Sequence, residues 1–386
     1  MFEENLAQLD ARHLLRRLRL AESAPGPMVT FEGRPLILMA SNDYLGLATH
    51  PALKQAAIDA VVRFGVGSGA SRLISGTLPP HADLETALAR FKGTEASLVF
   101  GSGYLANIGL IPALAGTGDL ILADRLCHAS LIDGCRLSGA NFRVFRHRDL
   151  AHLEQLLSGR KVRRTTLIVT DGVFSMDGDL APLPDLIAVA ERYDARLLVD
   201  DAHGTGVMGK TGRGTPEHFD VESRLPFHMG KLSNALGGSG AYVAGPATLI
   251  QYLVNHARSF IYTTAPPPAT AAAALAALDV IRNEPERRAR LWANRQRWVE
   301  GLANLGYRIA DTASPIVPVL IGQADQALQL AERLLQLGVF APAIRPPTVP
   351  EGTSRIRTTL SSEHRPEHLD QALAAFRQAG QELRLI

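Results

Sequence analysis

Two acidic residues and a histidine follow a buried apolar run near the middle of the chain. Leucine and valine fill residues 197–199, and Asp200, Asp201 and His203 come next, before a glycine-rich turn. Apolar side chains on both faces are typical of a strand covered on both sides, and open α/β sheets bind ligands at the carboxyl ends of such strands. A carboxylate buried there needs a cationic partner, such as the pyridinium nitrogen of pyridoxal phosphate. A simple cap of the following turn is the alternative interpretation of Asp200.

A second apolar run ends in small residues that begin a predicted helix. Ser102, Gly103 and Tyr104 follow the strand that ends at Phe100. The first N–H groups of a helix have no partner within it, and glycine lets a ligand come close, so this stretch predicts a phosphate site. A plain turn from strand to helix is the alternative.

Other predicted strand ends also carry polar side chains. His128 follows the strand at 120–123, and Asp171 and Ser175 follow the strand at 166–170. A histidine here can stack on a flat cofactor, although a lone histidine is more often structural. Lys231, after the strand at 227–229, is placed to form a Schiff base with a carbonyl cofactor, with a solvated loop lysine as the alternative. Polar groups at successive strand ends indicate one shared ligand site.

Alternating strands and helices must position these residues. The sequence predicts seven short strands separated mostly by helices, at 96–100, 120–123, 142–145, 166–170, 196–200, 227–229 and 240–243. This alternation is typical of an α/β fold with a mostly parallel sheet and helices on both faces. After about residue 280 the pattern changes to that of a smaller α+β domain. We expect an N-terminal segment at 1–45 that packs with the small domain, a large domain at 46–280, and the small C-terminal domain at 281–386.

Near the N-terminus, the basic run at 12–19 predicts an amphipathic helix with a solvated basic face, and a contact with an anionic ligand is the alternative. The breaker at 24–27 predicts that this N-terminal helix ends near residue 24.

The composition is that of an ordinary globular protein and excludes several functions. Of the 386 residues, 46% are hydrophobic and 20% charged, and the net charge is +2. There is no basic stripe with interleaved aromatics, so nucleic acid is not an expected partner, and no apolar run has the length of a membrane span. Cys127 and Cys135 match no metal site or disulfide framework, which favours a metal-free, cytoplasmic protein. The GxGxxG pattern at 204–209 continues as a loop, so it does not indicate a dinucleotide site.

In chain order, the motifs resemble those of the α-oxoamine synthases, a family of fold-type-I pyridoxal phosphate enzymes. The resemblance runs nearly end to end and rests on SNDYLG at 41–46, GSGASR at 67–72, His203, AIRPPTVP at 343–350 and RIRTTL at 355–360. The last two segments favour the oxononanoate-forming branch. The resemblance implies a homodimer with a shared active site, pyridoxal 5′-phosphate as cofactor, and condensation of L-alanine with a pimeloyl thioester for biotin synthesis.

The resemblance also implies roles for individual residues. Ser102, Gly103 and Tyr104 would hold the phosphate, His128 would stack on the ring, Asp200 would pair with the pyridine nitrogen, and His203 with the phenolic oxygen. Further cofactor contacts would come from Asp171, where the family usually has Glu, from Ser175, and, across the dimer, from Thr263 and Thr264. The implied substrate contacts are Arg19, Asn42, His81, Thr348 and Arg357.

One departure from the family pattern affects the chemistry. The family has Thr-x-x-Lys where this chain has Lys231 and Asn234, so Asn234 occupies the position of the lysine that binds the cofactor covalently. An amide cannot form a Schiff base or act as the base. Lys231 would either reach the cofactor aldehyde or, more simply, pair with the phosphate. We therefore expect impaired turnover; the alternatives are a non-catalytic cofactor-binding protein or a synthase that uses glycine or serine.

Overall fold

The computed structural model describes residues 2–11, 14–16, 18–159 and 164–386. Its helices are α1 (Phe2–Ala11), α2 (Pro51–Phe64), α3 (Pro79–Lys92), α4 (Gly103–Leu114), α5 (Ala129–Leu137), α6 (Leu150–Ser158), α7 (Leu183–Arg192), α8 (Thr215–His218), α9 (Ala247–His256), α10 (Arg258–Ile261), α11 (Pro268–Asn283), α12 (Glu286–Asn304), α13 (Ala324–Gln336) and α14 (Pro366–Glu382). Its strands are β1 (Met28–Phe31), β2 (Arg34–Leu38), β3 (Ala96–Phe100), β4 (Leu120–Asp124), β5 (Asn141–Phe145), β6 (Thr166–Asp171), β7 (Arg196–Asp200), β8 (His228–Lys231), β9 (Ala241–Gly245), β10 (Ile316–Gly322), β11 (Val339–Phe340), β12 (Ala343–Ile344) and β13 (Ser354–Thr359).

A seven-stranded sheet forms the centre of the molecule, with strand order β3-β9-β8-β7-β6-β4-β5. Strand β9 runs antiparallel to both of its neighbours, and the other pairings are parallel. This confirms the predicted α/β class and the mostly parallel sheet. The carboxyl ends of β4, β6, β7 and β8 therefore meet at one edge, where the polar residues predicted from the sequence lie.

Both faces of this sheet are buried, which explains its continuous apolar strands. On β4, Leu120 and Leu122 pack into the core beneath α6 and α7. Ile121 and Ala123 point the other way, into the core formed with α4, α5 and α9. The strands are thus held rigidly between two helical layers, and their ends are fixed relative to one another.

Two smaller sheets involve the C-terminal part of the chain. Strands β10, β13 and β12 form one of them, and β1 and β2 join β11 in the other. Strand β2 pairs with β11 in parallel, with Ile37 opposite Val339. The N-terminal strands therefore contact the C-terminal part, while the exact domain boundaries at 45 and 280 stay a prediction.

The prediction of a helix that continues to about residue 24 was wrong. Helix α1 ends at Ala11, and residues 14–16 and 18–20 have no regular structure, while residues 12, 13 and 17 of the predicted basic helix lie outside the described residues. Helix α1 buries none of its side chains. Since short helices depend on tertiary packing, nothing in the described structure favours extending it.

Within the described residues, no helix is long and apolar enough to span a membrane.

Candidate active site

The strand ends bring two carboxylates and a lysine together. Asp171 at the end of β6 lies opposite Asp200 at the end of β7, and Asp200 pairs in register with Met229 of β8. Lys231 ends β8, two residues beyond Met229. The shared site predicted from the sequence is therefore supported by strand register.

Asp200 is fixed at the base of the site by two donors. Its side chain is buried, and its Oδ1 accepts a hydrogen bond from the backbone N–H of Ala202 at 3.0 Å. Its Oδ2 accepts from Nδ2 of Asn107 at 2.8 Å, and the same Nδ2 lies 2.9 Å from the hydroxyl of Ser130. Asn107 was not predicted as a site residue. Its one indication in the sequence is a polar amide within an otherwise apolar helix.

His128 begins α5 beside this network. Its Nδ1 accepts from the backbone N–H of Ser130 at 3.2 Å and lies 2.7 Å from the Ser130 hydroxyl, while its own backbone N–H donates to Asp171 at 2.9 Å. Burial lowers the pKa of His128, and the Lys231 charge lowers it further. The His128 imidazole is therefore neutral near pH 7. Burial and the neighbouring Asp200 raise the pKa of Asp171 well above its ordinary value.

His203 is held on the opposite side by two side chains. Its Nδ1 lies 2.8 Å from the hydroxyl of Tyr44 and 3.3 Å from Nδ2 of Asn234. Burial, followed by the charges of Arg357 and Lys231, holds the pKa of His203 well below its ordinary value. Because an amide N–H only donates, Nδ1 is the acceptor and Nε2 carries the proton. Tyr44, a residue of the 41–46 motif, was not predicted as a site residue.

At the other end of the site, helix α4 begins at Gly103 beside Lys231. Ser102 caps the helix, its hydroxyl accepting from the backbone N–H of Leu105 at 3.2 Å. A Cβ added to Gly103 would overlap Cε of Lys231 and lie 3.0 Å from its Cδ, so a larger residue here would displace the lysine side chain. The ring of Tyr104 is partly exposed, and its hydroxyl donates to Asp133 at 2.6 Å. This end combines free helix N–H groups with a cation.

Arg357 on β13 extends toward the site from the small sheet. Its Nε donates to the backbone carbonyl of Ser175 at 2.6 Å, and its Nη2 lies 3.4 Å from Oδ1 of Asn42. The hydroxyl of Tyr44 also lies 3.4 Å from that Oδ1. Asn42, Ser175 and Arg357 are thus brought together, through Tyr44, beside His203.

The structure does not bring the remaining predicted residues to this cluster. His81 is buried, its Nδ1 accepts from the backbone N–H of Leu78, and its Nε2 donates to the carbonyl of Pro266 at 2.8 Å. Both ring nitrogens are therefore engaged within the fold, and the role of His81 as a substrate contact stays a prediction. Thr263 and Thr264 lie in the loop between α10 and α11, where Thr264 pairs with Ser71.

Arg19 and Thr348 lie on the C-terminal side of the molecule. The guanidinium of Arg19 lies 5.8 Å from the ring centre of Phe340 on β11. Thr348 lines an apolar groove of about 550 Å³, whose other lining residues include Leu6, Leu9, Leu14, Leu15, Pro346 and Pro347.

Comparison with known proteins decides the family. The model of the aminotransferase class I and II family matches residues 34–376. The chain is 51% identical to the 8-amino-7-oxononanoate synthase of Geobacter sulfurreducens over 99% of its own length and 98% of that protein. It is 47% identical to the synthase of Symbiobacterium thermophilum, with 99% and 98% covered. The chain belongs to the 8-amino-7-oxononanoate synthase family.

Solved structures agree with membership of the 8-amino-7-oxononanoate synthase family and show the fold-type-I architecture. A serine palmitoyltransferase from S. paucimobilis with bound PLP has a TM-score of 0.95 and 32% identity, covering 100% of this chain and 98% of that one. An 8-amino-7-oxononanoate synthase from Francisella tularensis has a TM-score of 0.78 and 30% identity, covering 91% and 99%.

Proposed function

We propose that this chain is an 8-amino-7-oxononanoate synthase that uses pyridoxal 5′-phosphate. It joins L-alanine to a pimeloyl thioester, carried on coenzyme A or on a carrier protein, and releases carbon dioxide and the free thiol. The product is 8-amino-7-oxononanoate, for biotin synthesis. The observation that carries the proposal is the buried Asp200, fixed by a hydrogen bond from Asn107, in a chain 47–51% identical to synthases of this name.

The residues present fit both ends of the cofactor. At one end, Lys231 lies against Gly103 at the N-terminus of α4, close enough that a Cβ on Gly103 would displace its side chain. At the other end, Asp200 offers a buried carboxylate, and Oδ1 of Asn107 has no partner among the described residues. Gly103 and Asn107 are four residues apart, so they lie on one face of α4 with a rise of about 6 Å between them. This separation suits a small flat ring with a phosphate arm.

When bound, the cofactor supplies an electron sink that stabilises negative charge on the α-carbon of alanine. Asp200 would keep the ring nitrogen protonated, because a carboxylate favours the charged form of its partner. His128 would offer a neutral imidazole to the ring. His203, whose Nδ1 contacts Tyr44 and Asn234, would have its Nε2 proton free to donate to the phenolic oxygen.

Substrate contacts come from the opposite side of the site. Arg357, steadied by the Ser175 carbonyl and by Asn42, binds the carboxylate of alanine, as guanidinium groups do bidentately. We assign the pimeloyl chain to the apolar groove lined by Thr348. Arg19 would lie toward the free carboxylate of that pimeloyl chain. Arg345 lines both this groove and the adjoining cavity that contains Arg19.

A homodimer completes the site in this proposal. We assign Thr263 and Thr264, in the loop between α10 and α11, to contacts with the phosphate of a second copy. The free, buried thiols of Cys127 and Cys135 support the cytoplasmic location expected from the sequence.

Asn234 reduces turnover, because an amide cannot remove the α-proton of alanine. The test is release of thiol and carbon dioxide from alanine with pimeloyl-CoA, and separately with pimeloyl carrier protein. The matched variant is Lys231→Thr with Asn234→Lys, which restores the family pattern. We expect the double variant to release thiol at least about 100-fold faster than the original chain, in line with the contribution of a positioned acid–base group.

Three outcomes are informative. Alanine-dependent thiol release that disappears when Asp200→Ala is added to the double variant supports the proposal. A folded double variant that holds the cofactor yet releases no thiol with either pimeloyl donor contradicts it. Faster release with glycine or serine than with alanine assigns the chain to a different member of the wider family.

A further inference from the structure

Lys231 extends along the start of helix α4. The Cγ and Cδ of Lys231 would lie 3.1 and 3.0 Å from a Cβ on Gly103, so the stem of the lysine runs over the first residue of the helix. Ser102 at the cap uses its hydroxyl for Leu105 N–H. The positive end of the helix dipole and the ammonium therefore act on the same space, where both favour a phosphate group.

The Lys231 charge acts throughout the pocket. Together with burial, it lowers the pKa of both His128 and His203, and it lowers the pKa of Asp171 against the larger effect of burial. The charge of Lys231, which is half-buried at the end of β8, thus acts on the cap of α5, the end of β6 and the loop after β7.

The amide nitrogen of Asn234 is engaged by the chain itself. It is 4% exposed, and its Nδ2 donates to the Ala202 carbonyl at 2.9 Å as well as contacting Nδ1 of His203 at 3.3 Å. Both amide hydrogens are thus used, and an amide nitrogen does not add to an aldehyde. Asn234 positions His203 and makes no bond with a ligand.

We infer that this chain binds the 5′-phosphate of the cofactor through Lys231 and the start of α4, with no covalent bond, and therefore binds pyridoxamine 5′-phosphate as well as pyridoxal 5′-phosphate. The inference rests on the proposed function and deepens it. The two compounds share the phosphate and the ring nitrogen and differ only at the 4′ carbon. Without a lysine that bonds to that carbon, the aldehyde has no advantage over the amine.

The test is calorimetric titration of the cofactor-free protein with each compound and with inorganic phosphate alone. We expect dissociation constants for the two compounds within about threefold of each other, a difference under about 1 kcal/mol. Lys231→Thr should weaken both by about 10- to 100-fold, the range for one charge-assisted contact. Lys210→Thr, which changes an exposed lysine in the loop after β7, is the matched control and should leave both constants unchanged. Asn234→Lys should strengthen binding of the aldehyde only.

Borohydride treatment of the protein with pyridoxal 5′-phosphate, followed by peptide mass mapping, gives a second readout. We expect no adduct on Lys231. An adduct there, an aldehyde preference of tenfold or more in the original chain, or unchanged affinity in a folded Lys231→Thr variant overturns the inference while leaving the proposed function standing. Failure of both compounds to bind contradicts the proposed function itself.

Discussion

Asn107 is the residue on which the position of Asp200 depends most. Its Nδ2 donates to the buried carboxylate at 2.8 Å, and hydrogen bonds to charged groups contribute about 1.5–3 kcal/mol. We expect Asn107→Leu to lower the free energy of unfolding by about 2 kcal/mol and to weaken cofactor binding. Urea denaturation and cofactor titration measure the two effects.

The matched control is Asn255→Leu. Asn255 is exposed on α9, and among the described residues its side chain bonds only to the Gln251 carbonyl of its own helix. Its replacement should change the free energy of unfolding by less than about 0.5 kcal/mol. Equal losses in the two variants would show that Asp200 does not depend on Asn107.

The sequence identified individual strand-end residues better than the side chains that support them. Asp200, His128 and Lys231 follow apolar runs, so their approximate position is set by the sheet alone. Asn107 and Tyr44 reach the site through contacts with residues 93 and 159 positions away in the chain. The bond of His81 to the Pro266 carbonyl likewise spans 185 positions. Local patterns carry no information about such contacts.

Between elements, His147 links the ends of β4 and β6. Its Nδ1 lies 2.9 Å from Asp124, at the end of β4, and its Nε2 lies 2.9 Å from Asp179, in the segment between β6 and α7 that also carries Ser175. Burial alone would lower the pKa of His147, but the hydrogen bonds to Asp124 and Asp179 outweigh it and raise the pKa to about 9.

The two hydrogen bonds of His147 to Asp124 and Asp179 predict a stability that depends on pH. The folded-state pKa lies above the unfolded value of about 6.5, so the stabilisation is complete below pH 6.5 and is lost as the pH rises through about 9. We expect the unfolding free energy of the original chain to be higher than that of the His147→Gln variant by up to about 3 kcal/mol at pH 6. This difference should shrink by pH 9.5. Urea titrations across this range measure it, and His256→Gln, an exposed histidine on α9, should show a flat difference. A gap that widens with pH would refute the assignment.

A buried ion pair joins helix α3 to the end of β7. Nζ of Lys92 lies 3.7 Å from Oδ2 of Asp201, and both side chains are almost fully buried. Thr215 donates to Oδ1 of Asp201 at 2.7 Å. Because Lys92→Met leaves an uncompensated buried carboxylate, it should cost about 3–5 kcal/mol of unfolding free energy. The double variant Lys92→Met with Asp201→Asn buries no charge and should be more stable than the single one; a less stable double variant would contradict this account.

At the scale of the whole molecule, segments from the N-terminal and C-terminal parts of the chain pack against each other. The pairing of β2 with β11 joins residues about 300 positions apart, and β13 carries Arg357 back to Asn42. From the sequence, we expected the N-terminal segment to pack with the small C-terminal domain. The helix predicted for the basic segment before β1 was wrong: where described, this segment has no regular structure, with Leu14 and Leu15 half-buried and Leu18 and Leu20 exposed.

The exposed apolar surface of the monomer predicts the dimer. Val62 on α2, Val66, Ile74 and Tyr262 are 72–82% exposed, and the bridge between Ser71 and Thr264 joins two of these segments. A surface of this kind is typical of a protein interface. We expect the original chain to sediment at twice its mass of 41.5 kDa and the double variant Val62→Glu with Ile74→Glu to be a monomer. Because the proposal places Thr263 and Thr264 at the phosphate of the second copy, this variant should also bind the cofactor more weakly. Leu137→Glu, at the exposed end of α5, should remain dimeric; a monomeric original chain, or dimers in all three proteins, would count against this interface.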